Sequence, residues 1–96
     1  MREEHVEQYL RREVKRAGGL CEKHISPGNA GVPDRLITLD GRMFLVETKA
    51  PKGPLREAQK IDHAQRKRCG VAVVVLRTKD EVDSWLRSLL PAPINR

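Results

Sequence analysis

The stretch from Gly31 to Pro54 constrains this chain most, because it combines a β-hairpin with charged residues at the open end of that hairpin. Two short apolar runs are separated by Asp40-Gly41, a dipeptide typical of two-residue hairpin turns. If the residues that flank the turn pair directly, Asp34 lies close to Glu47, although a bulge would shift this register. The stretch therefore predicts two strands with two carboxylates near one end.

A lysine, Lys49, is predicted to lie beside these two carboxylates. Side chains alternate along a strand, so Glu47 and Lys49 point the same way while Thr48 points away. Two crowded carboxylates repel each other unless a cation lies between them, and Mg²⁺ prefers oxygen ligands of this kind. The lysine could hold a phosphate oxygen or stabilise an attacking hydroxide. For this short motif alone, an ion pair at the end of a strand is the commoner explanation, with Asp34 a turn residue.

The surrounding residues favour the catalytic interpretation. A Pro-Asp pair followed by Glu-Thr-Lys resembles the PD-(D/E)XK nuclease signature, and the wider strings at 26–36 and 46–51 resemble its VRR-NUC (virus-type replication-repair nuclease) branch. The resemblance covers nearly the whole chain. It implies a single domain over 1–96 with a restriction-endonuclease-like α/β fold. It also implies hydrolysis of DNA phosphodiesters with Mg²⁺ or Mn²⁺ as the cofactor.

The resemblance also implies roles for the motif residues. Asp34 and Glu47 would hold the metal ion, with the Thr48 carbonyl as a further ligand, and Lys49 would position or activate the attacking water. All three residues of the Glu-X-Lys motif match the family pattern, because its middle position is variable. These four residues form the core of the predicted site.

Two helical residues complete the predicted site by the same resemblance. Several PD-(D/E)XK nucleases carry a glutamate on their first helix, and Glu7 is the candidate, although Glu3 and Glu4 stay open as alternatives. A solvated acid favoured by the helix dipole is the other explanation for Glu7. Gln59 resembles the family's helix glutamine and would contact the catalytic lysine, a water or a phosphate.

The charge of the chain favours a polyanionic partner. Nineteen Lys and Arg against thirteen Asp and Glu leave a net charge of +6, and the three aromatic residues are too few for a base-stacking platform. Contacts to a phosphate backbone are therefore expected, although a basic helix face is often only its solvated side. The candidate DNA-contacting residues are Arg35, Lys52, Arg56, Lys60 and His24.

The rest of the chain predicts the order α-β-β-β-α-β-α, with a mixed sheet flanked by helices. The predicted elements outside the hairpin are helices at 2–17 and 55–69, a third helix that opens at Thr78 and ends at Pro91 and Pro93, and strands at 20–25 and 71–76. The first strand is expected at an edge. The last strand, an uninterrupted apolar run, is expected in the centre of the sheet, covered on both faces and parallel to the second hairpin strand.

The sequence argues against a zinc-binding, membrane-spanning or secreted protein. Cys21 and Cys69 form no C-x-x-C pair and no histidine has metal-ligand spacing, so zinc is not expected and both cysteines are predicted to be small buried hydrophobes. No membrane span or signal peptide is expected from the sequence. The expected location is the cytoplasm, of a bacterial host if the chain is encoded by a phage.

Similar stand-alone phage proteins imply a homodimer that cuts branched DNA such as four-way (Holliday) junctions, because two symmetric cuts need two sites. Three alternatives stay open: a flap-directed, nick-directed or non-specific nuclease, a non-catalytic DNA-binding module that keeps the fold, and a small metal-binding structural domain.

Overall fold

The structure, a computed structural model, describes residues 2–90, which form three helices and a four-stranded sheet. The elements in chain order are α1 (Glu3–Arg16), β1 (Leu20–Lys23), β2 (Arg35–Leu39), β3 (Arg42–Thr48), α2 (Glu57–Arg68), β4 (Val74–Leu76) and α3 (Lys79–Leu89). The predicted order α-β-β-β-α-β-α and the predicted mixed α/β fold are confirmed.

The sheet has the strand order β1-β2-β3-β4, in which β1, β2 and β3 are antiparallel and β4 is parallel to β3. Leu39 pairs with Arg42 across the turn, as the sequence predicts. Asp40 and Gly41 have φ angles of 53° and 75°, the left-handed conformation that a two-residue hairpin turn requires. The register is therefore fixed by the Asp-Gly turn, and it places the start of β2 beside the end of β3.

One face of the sheet carries the apolar core, beneath α1 and α3. Val6, Leu10 and Val14 recur every fourth residue along α1 and are completely buried. They meet alternate residues of the central strands, such as Ile37 and Val46. Burial of each such side chain stabilises the fold by about 1.5–3 kcal/mol relative to exposure. We call this set of buried hydrophobic residues the apolar layer; its members are Val6, Leu10, Val14, Ile37, Leu39, Val46, Leu76, Val82 and Leu86.

The prediction of a central, fully covered last strand is wrong. Within residues 2–90, β4 is an edge strand, it comprises only Val74–Leu76, and Val71 before it is 44% exposed. The reason is that α2 does not present an apolar face to the sheet: its buried residues are Gln59 and Asp62, while Ile61 is exposed. The apolar run therefore contributes to the core mainly through Leu76.

The prediction that both cysteines are buried is wrong, and for Cys69 the reason is again the polar inner side of α2. Cys69, directly after α2, is exposed, whereas Cys21 on β1 is half-buried, and neither forms a disulfide.

The predicted end of the third helix at Pro91 and Pro93 lies outside the described residues. Among residues 2–90, no helix has both the length and the hydropathy needed to cross a bilayer.

Candidate active site

Asp34 immediately precedes β2 and is held by the end of β3. The Thr48 hydroxyl donates to Asp34 Oδ2 over 2.8 Å, and the Thr48 amide donates to Oδ1 over 3.2 Å. Burial raises the pKa of the Asp34 carboxyl, while the two hydrogen bonds from Thr48 lower it. The buried Thr48 side chain is therefore used to fix the carboxylate in place.

Glu47 is the second acid, one residue before the end of β3, and it is only 2% exposed. Burial, and after it the negative charge of Asp34, raise the pKa of its carboxyl from 4.5 to about 7 against the opposing effect of Lys49. Its Oε1 atom is buried without a hydrogen-bond partner among the described residues. A buried, unsatisfied oxygen next to a second carboxylate is a costly arrangement for the protein alone.

Glu3 at the start of α1 supplies a third carboxylate. One oxygen each from Glu3, Asp34 and Glu47 lie within 4.8 Å of one another. The hairpin register and the first turn of α1 thus bring together residues that are far apart in the chain. We call this set the acidic cluster (Glu3, Asp34 and Glu47).

The structure places the predicted Glu7 differently from Glu3. Glu7 lies one turn further along α1 and forms an ion pair with Arg35. Arg35 is buried and faces α1 through this pair, so its position does not support the predicted DNA contact. Glu3, which the sequence left open as an alternative, is the helical acid that joins the acidic cluster, whereas Glu4 is not part of it.

Lys49 follows β3 directly and lines the same pocket as the acidic cluster. Its amide donates to the Leu76 carbonyl over 3.0 Å, which extends the parallel pairing of β3 with β4 and fixes the backbone at the lysine. Lys49 is only 9% exposed. Its ammonium is therefore a largely desolvated charge beside the carboxylates.

Gln59 in the first turn of α2 is buried and also lines the pocket. Its Oε1 atom accepts a hydrogen bond from the Arg56 amide over 2.8 Å, which caps the start of the helix. Because the carbonyl oxygen is used for the cap, the amide NH₂ group is the part of Gln59 that can donate to a ligand.

The pocket has a volume of about 330 Å³, and its walls come from α1, the loop between β1 and β2, the end of β3 and the start of α2. Of the predicted DNA-contacting residues, Arg56 and His24 line it, whereas Lys52 and Lys60 are exposed outside it. His24 Nδ1 donates to the Pro33 carbonyl over 2.7 Å, so His24 holds the backbone just before Asp34. Lys60 pairs with Glu57 on its own helix.

Contacts between the loop and α2 were not foreseen from the sequence. Asn29 Nδ2 donates to Asp62 Oδ1 over 3.1 Å, and Asp62 accepts from Arg66 over 2.7 Å. A Cβ atom at Gly31 would lie 2.1 Å from the Ala58 carbonyl oxygen, so only glycine fits this close approach. The loop is therefore locked against the helix that carries Gln59.

His63 is a further residue near the site and was not among the predicted site residues. Its Nε2 atom is 3.5 Å from Glu47 Oε1, and burial lowers the pKa of its imidazole. The signal for it was present, because His63 lies four residues after Gln59 and residues at this spacing share a helix face.

The residues of the pocket fit a hard divalent cation. Three carboxylates converge, each with one oxygen within 4.8 Å of the others, and Glu47 among them is almost completely buried. Carboxylate oxygens are the ligands that Mg²⁺ and Mn²⁺ prefer, and a cation would remove the repulsion between the acids. Beside them, Lys49 offers a positive charge and Gln59 an amide donor to an anionic substrate.

Known proteins resemble this chain in sequence and in fold. No protein-family model matches the chain. It is 41% identical over 93 residues to "Putative nuclease p44" of Acyrthosiphon pisum secondary endosymbiont phage 1, a match that covers 96% of this chain and 95% of the relative. A solved structure described as a VRR_NUC domain superposes with a TM-score of 0.82 at 27% identity, covering 92% of this chain and 97% of that chain. From the relative, the shared fold and the motif residues together, the chain belongs to the VRR-NUC family of nucleases.

Proposed function

We propose that this protein is a DNA endonuclease that hydrolyses phosphodiester bonds with the help of Mg²⁺ or Mn²⁺. The observation that carries the proposal is the convergence of three carboxylates within 4.8 Å of one another in a pocket that Lys49 also lines. Membership of a nuclease family and the net charge of +6 support it.

The acidic cluster would hold the metal ion, which in such sites polarises the phosphate and lowers the pKa of a bound water. Lys49 would position the attacking water and stabilise the negative charge that develops on the phosphate. The NH₂ group of Gln59, whose carbonyl oxygen is taken by the helix cap, would donate to a phosphate oxygen or to the water. In the reaction, water adds to phosphorus, the bond from phosphorus to the leaving oxygen breaks, and that oxygen takes up a proton.

The exposed lysines and Arg56 would hold the phosphate backbone over the pocket. Lys52 and Lys60 are exposed on the connection after β3 and at the start of α2, close in the chain to Lys49. Such contacts carry no sequence information but fix the position of the duplex. We propose four-way junctions and other branched DNA as substrates, and the cytoplasm of a phage-infected bacterium as the location, which the phage origin of the relative supports.

We further propose that the active form is a homodimer, since two pockets related by a twofold axis could cut both sides of a junction. An apolar groove of about 600 Å³ beside β3 and β4 supports this, because Met43 and Val71 in it are 66% and 44% exposed. Val71→Glu is expected to convert the dimer to a monomer in light-scattering measurements of mass. An unchanged mass for the variant would place the dimer surface elsewhere.

The test of catalysis compares wild type with Lys49→Ala on four-way junction, flap, nicked and linear DNA, with Mg²⁺ and with EDTA. Wild type is expected to cut the junction fastest and only with the metal. Lys49→Ala is expected to bind the junction but not to cut it. If neither protein cuts any substrate and both bind equally, the chain is a DNA-binding module and the proposal fails.

A further inference from the structure

His63 and Glu47 present two buried atoms that face each other without other partners. Glu47 Oε1 and His63 Nε2 are both buried with no hydrogen-bond partner among residues 2–90, and 3.5 Å separates them. A hydrogen bond between nitrogen and oxygen is about 2.7–3.2 Å long, so a shift of roughly 0.5 Å in either side chain closes the gap. Unsatisfied buried groups are costly, and each of these atoms is the available partner for the other.

We propose that His63 is a positioning residue for the metal site: its Nε2–H donates to Glu47 Oε1 and fixes the carboxylate so that its other oxygen faces Glu3 and Asp34. This inference rests on the proposed function, because it assigns His63 to the carboxylate that would hold the cation. The histidine does not touch the metal or the substrate.

Buried neighbours on α2 hold the helix segment that carries His63. Gln59, one turn earlier on α2, is buried against the pocket and caps the helix. Asp62, the neighbour of His63, is 4% exposed and is held by Asn29 and Arg66. The imidazole therefore approaches Glu47 from a helix whose inner side is tied to the loop between β1 and β2.

Glu47 needs such a partner more than Asp34 does. The Asp34 carboxylate already accepts two hydrogen bonds from Thr48, whereas no hydrogen bond to Oε1 of Glu47 is formed by the residues that the structure describes. Groups that orient a metal-binding side chain commonly change metal affinity by 10- to 100-fold when they are removed. His63 would thus orient the Glu47 carboxylate in the way that Thr48 orients the Asp34 carboxylate.

The experiment measures Mn²⁺ binding to the full chain by isothermal titration calorimetry for wild type, His63→Leu, His63→Gln and the exposed control Gln65→Ala. His63→Leu fills the space without a donor, and His63→Gln keeps an N–H donor at the end of the side chain. We expect Mn²⁺ to bind His63→Leu at least about tenfold more weakly than wild type, and His63→Gln within about threefold. Gln65→Ala is expected to match wild type, and thermal unfolding confirms that each variant is folded.

Two results would contradict these expectations in different ways. If His63→Leu binds Mn²⁺ as tightly as wild type, or if His63→Gln is the weaker of the two, His63 only fills space and the inference is wrong. If wild type and all variants fail to bind Mn²⁺, the proposed metal site itself fails. A second readout is the Mg²⁺ concentration for half-maximal cleavage, which is expected to rise about tenfold in His63→Leu while the rate at saturating Mg²⁺ stays within about threefold.

Discussion

The apolar layer and the site end of the sheet are equally buried but opposite in chemistry. Leu10 and Ile37 in the apolar layer are completely buried, and Glu47 and Gln59 at the site end are 2% and 3% exposed. The first region buries hydrocarbon, which stabilises the fold, whereas the second buries carboxylates, an ammonium and an amide. The comparison shows that burial in this protein serves stability under α1 and α3, and chemistry where α2 meets the end of β3.

The difference is visible in how well the buried groups are satisfied. The apolar layer has no polar atoms that need partners, while Glu47 Oε1 and His63 Nε2 are left without them. Groups held in this way lower stability and are typical of binding sites that a ligand completes. Substitutions in the two regions should therefore separate loss of activity from loss of stability.

The largest expected effect comes from Asp34→Asn, which keeps the size of the side chain and an acceptor for the Thr48 amide. The rate of DNA cleavage with Mg²⁺ should fall by about 10³-fold or more, roughly 4 kcal/mol of transition-state stabilisation, because a metal-holding charge is lost. The free energy of unfolding in urea should stay within about 1 kcal/mol of wild type, since a repulsive charge is also removed. A large loss of stability with normal cleavage would show that Asp34 stabilises the fold and does not hold the metal.

Leu10→Ala tests the apolar layer. Leu10 is completely buried, so the cavity and the lost transfer energy should lower the free energy of unfolding by about 3–5 kcal/mol. At a temperature where the variant is still folded, its cleavage rate should be close to that of wild type. Leu20→Ala, at a leucine that is 59% exposed, is the matched control and should change stability by about 0.5 kcal/mol or less.

The pH dependence of stability tests the site end. The pKa of Glu47 is raised from 4.5 to about 7 in the folded protein, so the folded state binds the proton more tightly than the unfolded chain does. The contribution of Glu47 to stability without metal should therefore be largest below pH 4.5 and be lost as the pH rises through 7, a change of up to roughly 3 kcal/mol from this one group.

Urea unfolding in EDTA at several pH values measures this effect. Glu47→Gln, which cannot ionise, should lack most of the decline and should be more stable than wild type at alkaline pH. Added Mn²⁺ should restore stability to wild type at alkaline pH and not to the variant. Identical pH profiles for the two proteins would show that Glu47 does not carry the shift.

The smallest effects are expected at the exposed lysines outside the pocket. Lys52→Ala or Lys60→Ala should weaken junction binding by a few-fold and lower the slope of log affinity against log salt by about 1, because each would lose one phosphate contact. Lys15→Ala on the exposed side of α1 is the matched control. Equal losses for all three variants in fluorescence-anisotropy titrations would indicate only a general effect of net charge.

Much of the fold could be predicted because local patterns determine it. The Asp40-Gly41 turn fixes the hairpin register, and the helical spacing of Val6, Leu10 and Val14 identifies the buried side of α1. The prediction for the last strand failed because a continuous apolar run predicts burial on both faces. Whether β4 is covered depends instead on where α2 packs. That packing is set by contacts between distant residues and leaves no periodic signal.

The candidate site was likewise predictable where local sequence determines it, and not where the packing of distant segments does. Asp34, Glu47 and Lys49 were identified by their motif, and the register alone predicts that the two acids approach each other. The choice between Glu3 and Glu7 depends on how α1 crosses the sheet end, which sequence spacing does not determine. The structure brings Glu3 into the acidic cluster and pairs Glu7 with Arg35.

The chain order of the pocket has a consequence for the timing of activity during synthesis. Its walls are drawn from Glu3 near one end of the chain and Gln59 well past the middle, and the backbone at Lys49 is fixed by the carbonyl of Leu76. A growing chain that has not yet emerged from the ribosome as far as β4 lacks the strand that supports this lysine. The complete pocket, with the backbone at Lys49 in place, therefore forms only after the chain from α1 through β4 has been made.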